Sequence, residues 1–289
     1  MNAIRTSLKV IGAVAPPLAA EVSFRFWRAL GTPEVVHERD RAVHEEAVVG
    51  QLEVGGERVA TYTWGNGSRV ILLVHGWRSR ASRFSALVKA LESPDRTIVA
   101  FDAPGNGDST GNRVTVLDYA DAITQLAARH GEFEAIVGHS FGVLSSFLAI
   151  REGVRTRRIV AVSGMYDADQ LVDQFARQAG IRGRAKAGLR RRIERRTFPT
   201  VADPWRRFVS EIDPTHTHVP LLLVHDGDDA LVSVDEAARI ADAHTGTVSV
   251  HLTDGLGHSR ILGDPGVLAA IASFVETEPA ELRLQRTRS

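Results

Sequence analysis

The sequence predicts an α/β fold: a mostly parallel sheet with helices on both faces and a helical cap insertion. Three observations predict it. From residue 70 onward, short runs rich in β-branched residues alternate with helical stretches, and such alternation builds a parallel sheet through helical crossovers. Val70-Ile71-Leu72-Leu73-Val74 is apolar at every position, as a strand buried on both faces must be. The alternation stops over 165–218 and then resumes, which marks an insertion between two strands of one sheet.

Taken in order, 47–54 and 58–64 read as an antiparallel pair around Gly55-Gly56, and 70–75 as the first buried strand. Residues 81–91 read as helix, 97–101 as strand, 116–129 as helix, 134–137 as strand, 141–151 as helix and 158–162 as strand. After the insertion come strand 221–224, helix 234–243, strand 247–252 and helix 265–275. Within the insertion, helices are predicted near 168–179, 184–196 and 204–212, forming a cap over the carboxyl edge of the sheet. The expected organisation is a helical extension over 1–46, a core over 47–164 and 219–278, the cap over 165–218, and a tail over 279–289.

Composition narrows the function. A chain of 289 residues with 44% hydrophobic and 24% charged residues has the makeup of a soluble globular protein with a sizeable core. Lys plus Arg and Asp plus Glu both number 35, so no overall field draws the chain to nucleic acid, and no nucleic-acid partner is expected. The absence of cysteine excludes disulfides, thiolate zinc sites and cysteine nucleophiles. His216 and His218, with His225 nearby, lack a carboxylate at ligand spacing, so neither a metal nor a cofactor is expected.

The amino terminus supports three readings. Arg5 and Lys9 precede an uncharged run, as in an export signal, yet Pro16-Pro17 interrupts it, and Phe24, Phe26, Trp27 and Leu30 continue the apolar character beyond. The favoured reading is a helical extension packed on its own domain or on a partner. A helix lying in a membrane interface is the second, since Arg25 and Arg28 alternate with the aromatics; export is the third. A cytoplasmic protein, with peripheral membrane contact through this segment as an option, is the localisation expected.

The chemistry centres on Gly138-His139-Ser140-Phe141-Gly142, a G-x-S-x-G pattern directly after the strand residues Ala135-Ile136-Val137. That order places Ser140 on a sharp strand-to-helix turn with its hydroxyl held clear of the backbone. Gly138 and Gly142 stand two residues to either side, where a Cβ would collide with the neighbouring strand or helix. A serine nucleophile needs a base and a carboxylate to orient that base. His258 follows one strand in Asp254-Gly255-Leu256-Gly257-His258, and Asp229 follows another in His225-Asp226-Gly227-Asp228-Asp229. Asp228, Asp167 and Asp169 are the other candidates for the acid. His75 and His139, beside the motifs, are expected to support the site by packing, and Asp102 to fix a turn beneath it.

Together with His75-Gly76-Trp77 and Asp102-Ala103-Pro104-Gly105-Asn106-Gly107-Asp108-Ser109, these segments resemble the α/β-hydrolase fold superfamily over roughly 47–275. Within it the chain is similar to a group of bacterial hydrolases with His-Gly-Trp, an acid loop opening His-Asp, and Gly-Leu-Gly-His before an Arg-Ile-Leu run. The resemblance implies a nucleophile–acid–base order of Ser140, Asp229 and His258, and an oxyanion hole formed by the backbone amides of Trp77 and Phe141. It favours Asp229 as the acid because Val232 follows at the usual spacing. Dehalogenases and epoxide hydrolases of this fold carry a carboxylate at the elbow, so Ser140 argues against both. The activity implied is cofactor-independent hydrolysis of a carboxylic ester or thioester. Amide or carbon–carbon bond hydrolysis, acyl transfer, and a non-catalytic small-molecule-binding module are the alternatives.

The substrate pocket is expected to use Trp77, Phe84, Met165, Tyr166, Trp205 and Phe208, which would suit an apolar acyl group. Arg182, Arg184, Lys186, Arg190, Arg191, Arg192, Arg195 and Arg196 crowd one cap segment against the single acid Glu194, while Ala185, Leu189 and Ile193 give it an apolar stripe. A solvated face balanced by acids elsewhere is the plain expectation; recruitment of an anionic group is the sharper one.

Overall fold

The computed structural model describes residues 2–211, 219–244 and 246–277. His216, His218, Ile212 at the expected end of the third cap helix and the tail over 279–289 lie outside the described residues. The chain opens with helices α1 (Asn2–Val14), α2 (Pro16–Arg28) and α3 (Glu38–Glu45), followed by strands β1 (Val48–Val54), β2 (Glu57–Gly65) and β3 (Arg69–Val74). Next come α4 (Ser85–Leu91), β4 (Arg96–Phe101), α5 (Val116–His130), β5 (Ala135–His139), α6 (Phe141–Arg151) and β6 (Ile159–Val162). The insertion carries α7 (Ala168–Ala179), α8 (Gly183–Thr197) and α9 (Pro204–Arg207). The chain then returns through β7 (Leu221–Asp226), α10 (Asp235–Ala243), β8 (Val248–Thr253), α11 (Gly257–Arg260) and α12 (Pro265–Glu276).

The strands form one sheet in the order β1-β2-β4-β3-β5-β6-β7-β8. The β1–β2 and β2–β4 pairs are antiparallel and all the others parallel. Helices α5 and α6 cover one face through Tyr119, Ile123, Leu126, Leu144 and Phe147; α4 and α12 cover the other through Leu87, Leu91, Val267 and Ile271. The central strands β3 to β7 are therefore buried on both sides, which is why they read as unbroken apolar runs.

Two local expectations shift. The helix expected over 81–91 begins as a tight 3₁₀ turn over Ala81–Phe84 before becoming α-helical. The third cap helix is short: Asp203 caps it by accepting from the Arg206 amide, and it ends at Arg207 as the chain turns extended at Phe208.

A third apolar cluster lies outside the sheet. Leu8, Ala19, Phe24 and Trp27 of α1 and α2 pack against Val172, Ala176, Ala185, Leu189 and Ile193 of α7 and α8. The amino-terminal helices are thus continuous with the cap and extend the cover over the sheet. Gly188 lets the helices meet closely, since a Cβ there would stand 2.8 Å from the Ala20 Cβ. No helix among the described residues is long and apolar enough to cross a membrane.

Candidate active site

Ser140 sits between β5 and α6 with φ 54° and ψ −119°, a conformation that a non-glycine residue adopts only when its surroundings impose it. The surroundings are close backbone. A Cβ on Gly138 would lie 2.8 Å from the Val143 amide nitrogen, and one on Gly142 would lie 2.2 Å from the Val74 carbonyl oxygen. Both glycines let α6 press onto the ends of β3 and β5, and this closeness forces the turn at Ser140.

The acid and base arrive from the two strands at one edge. The Asp229 side chain is fully buried after β7, and its Oδ2 lies 2.7 Å from Nδ1 of His258. Its other oxygen accepts from the Leu231 and Val232 amides at 2.8 and 3.0 Å. Burial alone would raise this carboxyl, but the hydrogen bond from His258 and the two amides outweigh it and hold the group below the usual carboxylate range. With Nδ1–H donated to Asp229, the neutral His258 ring keeps Nε2 as an open acceptor. Ser140 and His258 line the same cavity. Among the described residues they form no direct hydrogen bond, a looseness usual in sites without substrate.

The competing carboxylates are occupied elsewhere. Asp228 Oδ2 accepts from the Gly255 amide, Asp167 caps α7 and pairs with Arg239, and Asp169 pairs with Arg190. Asp226, not expected to take part, is fully buried and organises both loops. It accepts from the amides of Asp228, Leu256 and Gly257 and from the Thr253 hydroxyl. Its place at the end of an apolar strand, followed by glycine, was the available signal. Asp102, also fully buried, accepts from Ala81 N, Asp108 N and the Tyr62 hydroxyl, so it ties the turn after β4 to the loop after β3.

The two neighbouring histidines hold backbone. His75 accepts from Ala103 N at Nε2, which leaves Nδ1–H to donate to the Gly76 carbonyl at 2.7 Å; the Tyr119 hydroxyl donates to the same carbonyl at 3.1 Å. Anchoring that carbonyl turns the Trp77 N–H, across a trans peptide, to the opposite side. Among the described residues neither Trp77 N–H nor Phe141 N–H has a backbone partner. His139 donates from Nε2 to the His258 carbonyl at 2.9 Å, its ring 4.8 Å from that of His258. Burial and the neighbouring His258 push His139 down to about 3, so it is neutral at ordinary pH.

The cavity above Ser140 measures about 330 Å³, within the size range of small-molecule sites. Trp27, Trp77, Leu171 and Phe175 form an apolar wall, and Glu34, Arg78 and Arg83 a charged one. Of the six expected pocket residues only Trp77 lines it. Phe84, Met165 and Phe208 are at most 1% exposed and pack in the sheet cores. Tyr166 lies under the Arg239 guanidinium, and Trp205 lies under that of Arg190. The aromatic wall comes instead from α2 and α7, whose long-range approach to Ser140 has no local sequence signal. Arg78, at φ 57°, joins the two regions: its guanidinium donates to the Phe26 and Ala29 carbonyls at the end of α2, while the preceding residue is Trp77. Among the described residues no cluster of His, Asp or Glu could hold a metal ion.

Four of the eight cap cations pair with acids. Arg192 and Arg196 bind Glu21, Arg190 binds Asp169, and Lys186 binds Asp173.

Residues 71–271 match the Alpha/beta hydrolase family. No curated protein matches the sequence. Among solved structures, an esterase from Pyrococcus furiosus is similar at 16% identity and TM-score 0.60, covering 86% of this chain and 97% of that one. The thioesterase domain of the curacin biosynthetic pathway is similar at 18% identity and TM-score 0.55, covering 80% and 99%. A membrane phospholipase A described as a bacterial virulence factor is similar at 16% identity and TM-score 0.59, covering 98% and 99%. At these identities the likeness is one of fold.

Proposed function

The chain belongs to the alpha/beta hydrolase family, and on that premise we propose that it is a serine hydrolase cleaving a carboxylic ester or thioester through an acyl-enzyme on Ser140. The observation that carries this is the 2.7 Å bond between Asp229 and His258, with that histidine and the strained Ser140 lining one cavity.

In this mechanism His258 Nε2 takes the Ser140 hydroxyl proton as Oγ attacks the acyl carbonyl. Asp229 stabilises the imidazolium that forms. The oxyanion is received by the amides of Trp77 and Phe141, the loss of one such donor costing about 3 kcal/mol of transition-state stabilisation. His258 then returns the proton to the leaving alcohol or thiol, and water activated by the same imidazole releases the acid. His75 and Tyr119 act as positioning residues, because they fix the Gly76 carbonyl and with it the direction of the Trp77 amide. The wall of Trp27, Trp77, Leu171 and Phe175 favours an apolar acyl group. An esterase, a thioesterase domain and a phospholipase that share the fold are compatible with acyl chemistry.

A fluorophosphonate probe tests the proposal directly. The native protein should be labelled and Ser140→Ala should not; equal labelling of the two would overturn it. A panel of matched acyl esters and thioesters, run with the same control, then identifies the leaving group.

A further inference from the structure

The cover that contributes Trp27 to the cavity also carries an outer surface unlike the rest of the molecule. On α2, Leu18 and Phe26 stand on the face away from the buried Ala20 and Trp27. Leu18 is 54% exposed and Phe26 44%. On α1, Val10 and Val14 continue the apolar surface at 59% and 79% exposure. Of the nine large apolar side chains exposed among the described residues, these four sit together on two consecutive helices.

Cations border the stripe. Arg25 projects from the same face of α2 with its side chain 80% exposed. Along α8, exposed Arg184, Arg191 and Arg195 stand on the turns around Gly188, the residue that meets Ala20. Residues 6–28 and 183–197 together hold ten Lys and Arg against two Asp and Glu, in a chain whose totals are 35 and 35. Lys186 and Arg190 are answered by Asp173 and Asp169 of the adjoining α7, and Arg192 and Arg196 by Glu21, so the cations that border the stripe are Arg25 and the exposed Arg184, Arg191 and Arg195.

We propose that the α1–α2–α8 surface docks on an anionic lipid surface, with the apolar stripe entering the acyl boundary and the arginines meeting the headgroups. An amphipathic helix with aliphatic and aromatic residues on one side and arginines beside them binds membranes in this way. A second copy of the chain is disfavoured as the occupant, because two such faces would bring their positive excesses together. Nucleic acid would use the cations but would leave the stripe in water. Because Trp27 lies on the inner side of α2, docking places the lipid surface one helix away from the cavity. Delivery of an acyl substrate from that surface rests on the hydrolase proposed above; docking itself does not.

Flotation of the full chain with vesicles of phosphatidylcholine alone, and of phosphatidylcholine with phosphatidylglycerol, tests this. The protein should float with the anionic vesicles and be released by salt. Leu18→Glu with Phe26→Glu should weaken binding by about tenfold or more, and Arg191→Ala with Arg195→Ala by about twenty-fold. Both variants should hydrolyse a short soluble ester at the native rate, since none of these side chains lines the cavity. Ser140→Ala should float like the native protein, so docking without hydrolysis would sink the proposed activity and leave this surface standing. Absence of vesicle binding, undiminished flotation of the Leu18/Phe26 variant, salt-sensitive binding to RNA instead, or a dimer that this variant dissolves would each overturn the inference.

Discussion

At the carboxyl ends of β4 and β7, loops hang on three buried carboxylates, Asp102, Asp226 and Asp229, each accepting several directional hydrogen bonds from backbone amides or side chains. In the cover above them, α1 and α2 meet α7 and α8 through Leu8, Phe24, Trp27, Val172 and Leu189, with ion pairs to Glu21 along the seam. Directional bonds between buried partners fix angles; apolar contacts reward area and tolerate sliding. The side chains at the cavity floor are therefore preorganised by the sheet, while the apolar cavity wall is held by contacts able to shift without leaving a buried polar group unpaired.

The largest expected effect falls on the directional side. Asp229→Asn keeps the shape of the loop but removes the charge that stabilises the imidazolium and offers an amide to His258. Hydrolysis should fall by about 10⁴-fold with the fold intact, measured by steady-state rates beside circular dichroism. A fall of less than tenfold would mean that the acid is held elsewhere.

Removing the loop organiser should instead cost stability. Asp226→Ala leaves three amides and a hydroxyl without their acceptor and should lower unfolding free energy by about 3 kcal/mol in urea titrations. An unchanged midpoint would break the contrast between the two regions.

Acid should act on the same region through His139. Its folded pKa lies near 3, below the unfolded value of about 6.5, so the unfolded chain binds the proton first. The stability it contributes is complete above about pH 6.5 and is lost as pH falls toward 3, at up to about 1.4 kcal/mol per pH unit. Urea titrations over this range should show a steeper decline for the native protein than for His139→Asn, and parallel curves would remove His139 as the cause.

The smallest effect belongs to the seam of the cover. Arg192 and Arg196 hold Glu21 slightly below the usual carboxylate range, but in water such pairs contribute little. Glu21→Gln should leave the melting temperature and the short-ester rate unchanged within error; a clear loss would show that the cover depends on charge more than on its apolar seam.

The division between the regions also explains what could be read from the chain. The buried strands, the strand-to-helix turn at Ser140 and the place of His258 just past a strand were legible because their signals are local: apolar runs, turn glycines, and polar residues just past strand ends. The choice of Asp229 over Asp228 needed a resemblance, since adjacent carboxylates differ only in which way the loop turns them. Phe84, Met165 and Phe208 were read as pocket residues because an aromatic or a methionine near a motif looks the same whether it faces a cavity or the core. Trp27 and Glu34 were missed for the opposite reason: more than a hundred residues separate them from Ser140, and they reach the cavity through long-range contacts, Trp27 by the packing of α2 on the cap and Glu34 through Arg80 and Arg83.

Among the described residues the last strand of the sheet, β8, has a neighbour on one side alone, and the loop that follows it carries His258. Opening of that edge would detach His258 while the inner strands stay paired, since sheets open in partial units well below the global unfolding energy. Gentle heating or low denaturant should therefore switch turnover off reversibly before the bulk circular dichroism signal moves. During synthesis, too, the candidate site stays incomplete until the residues through His258 have emerged and β8 has been laid against β7.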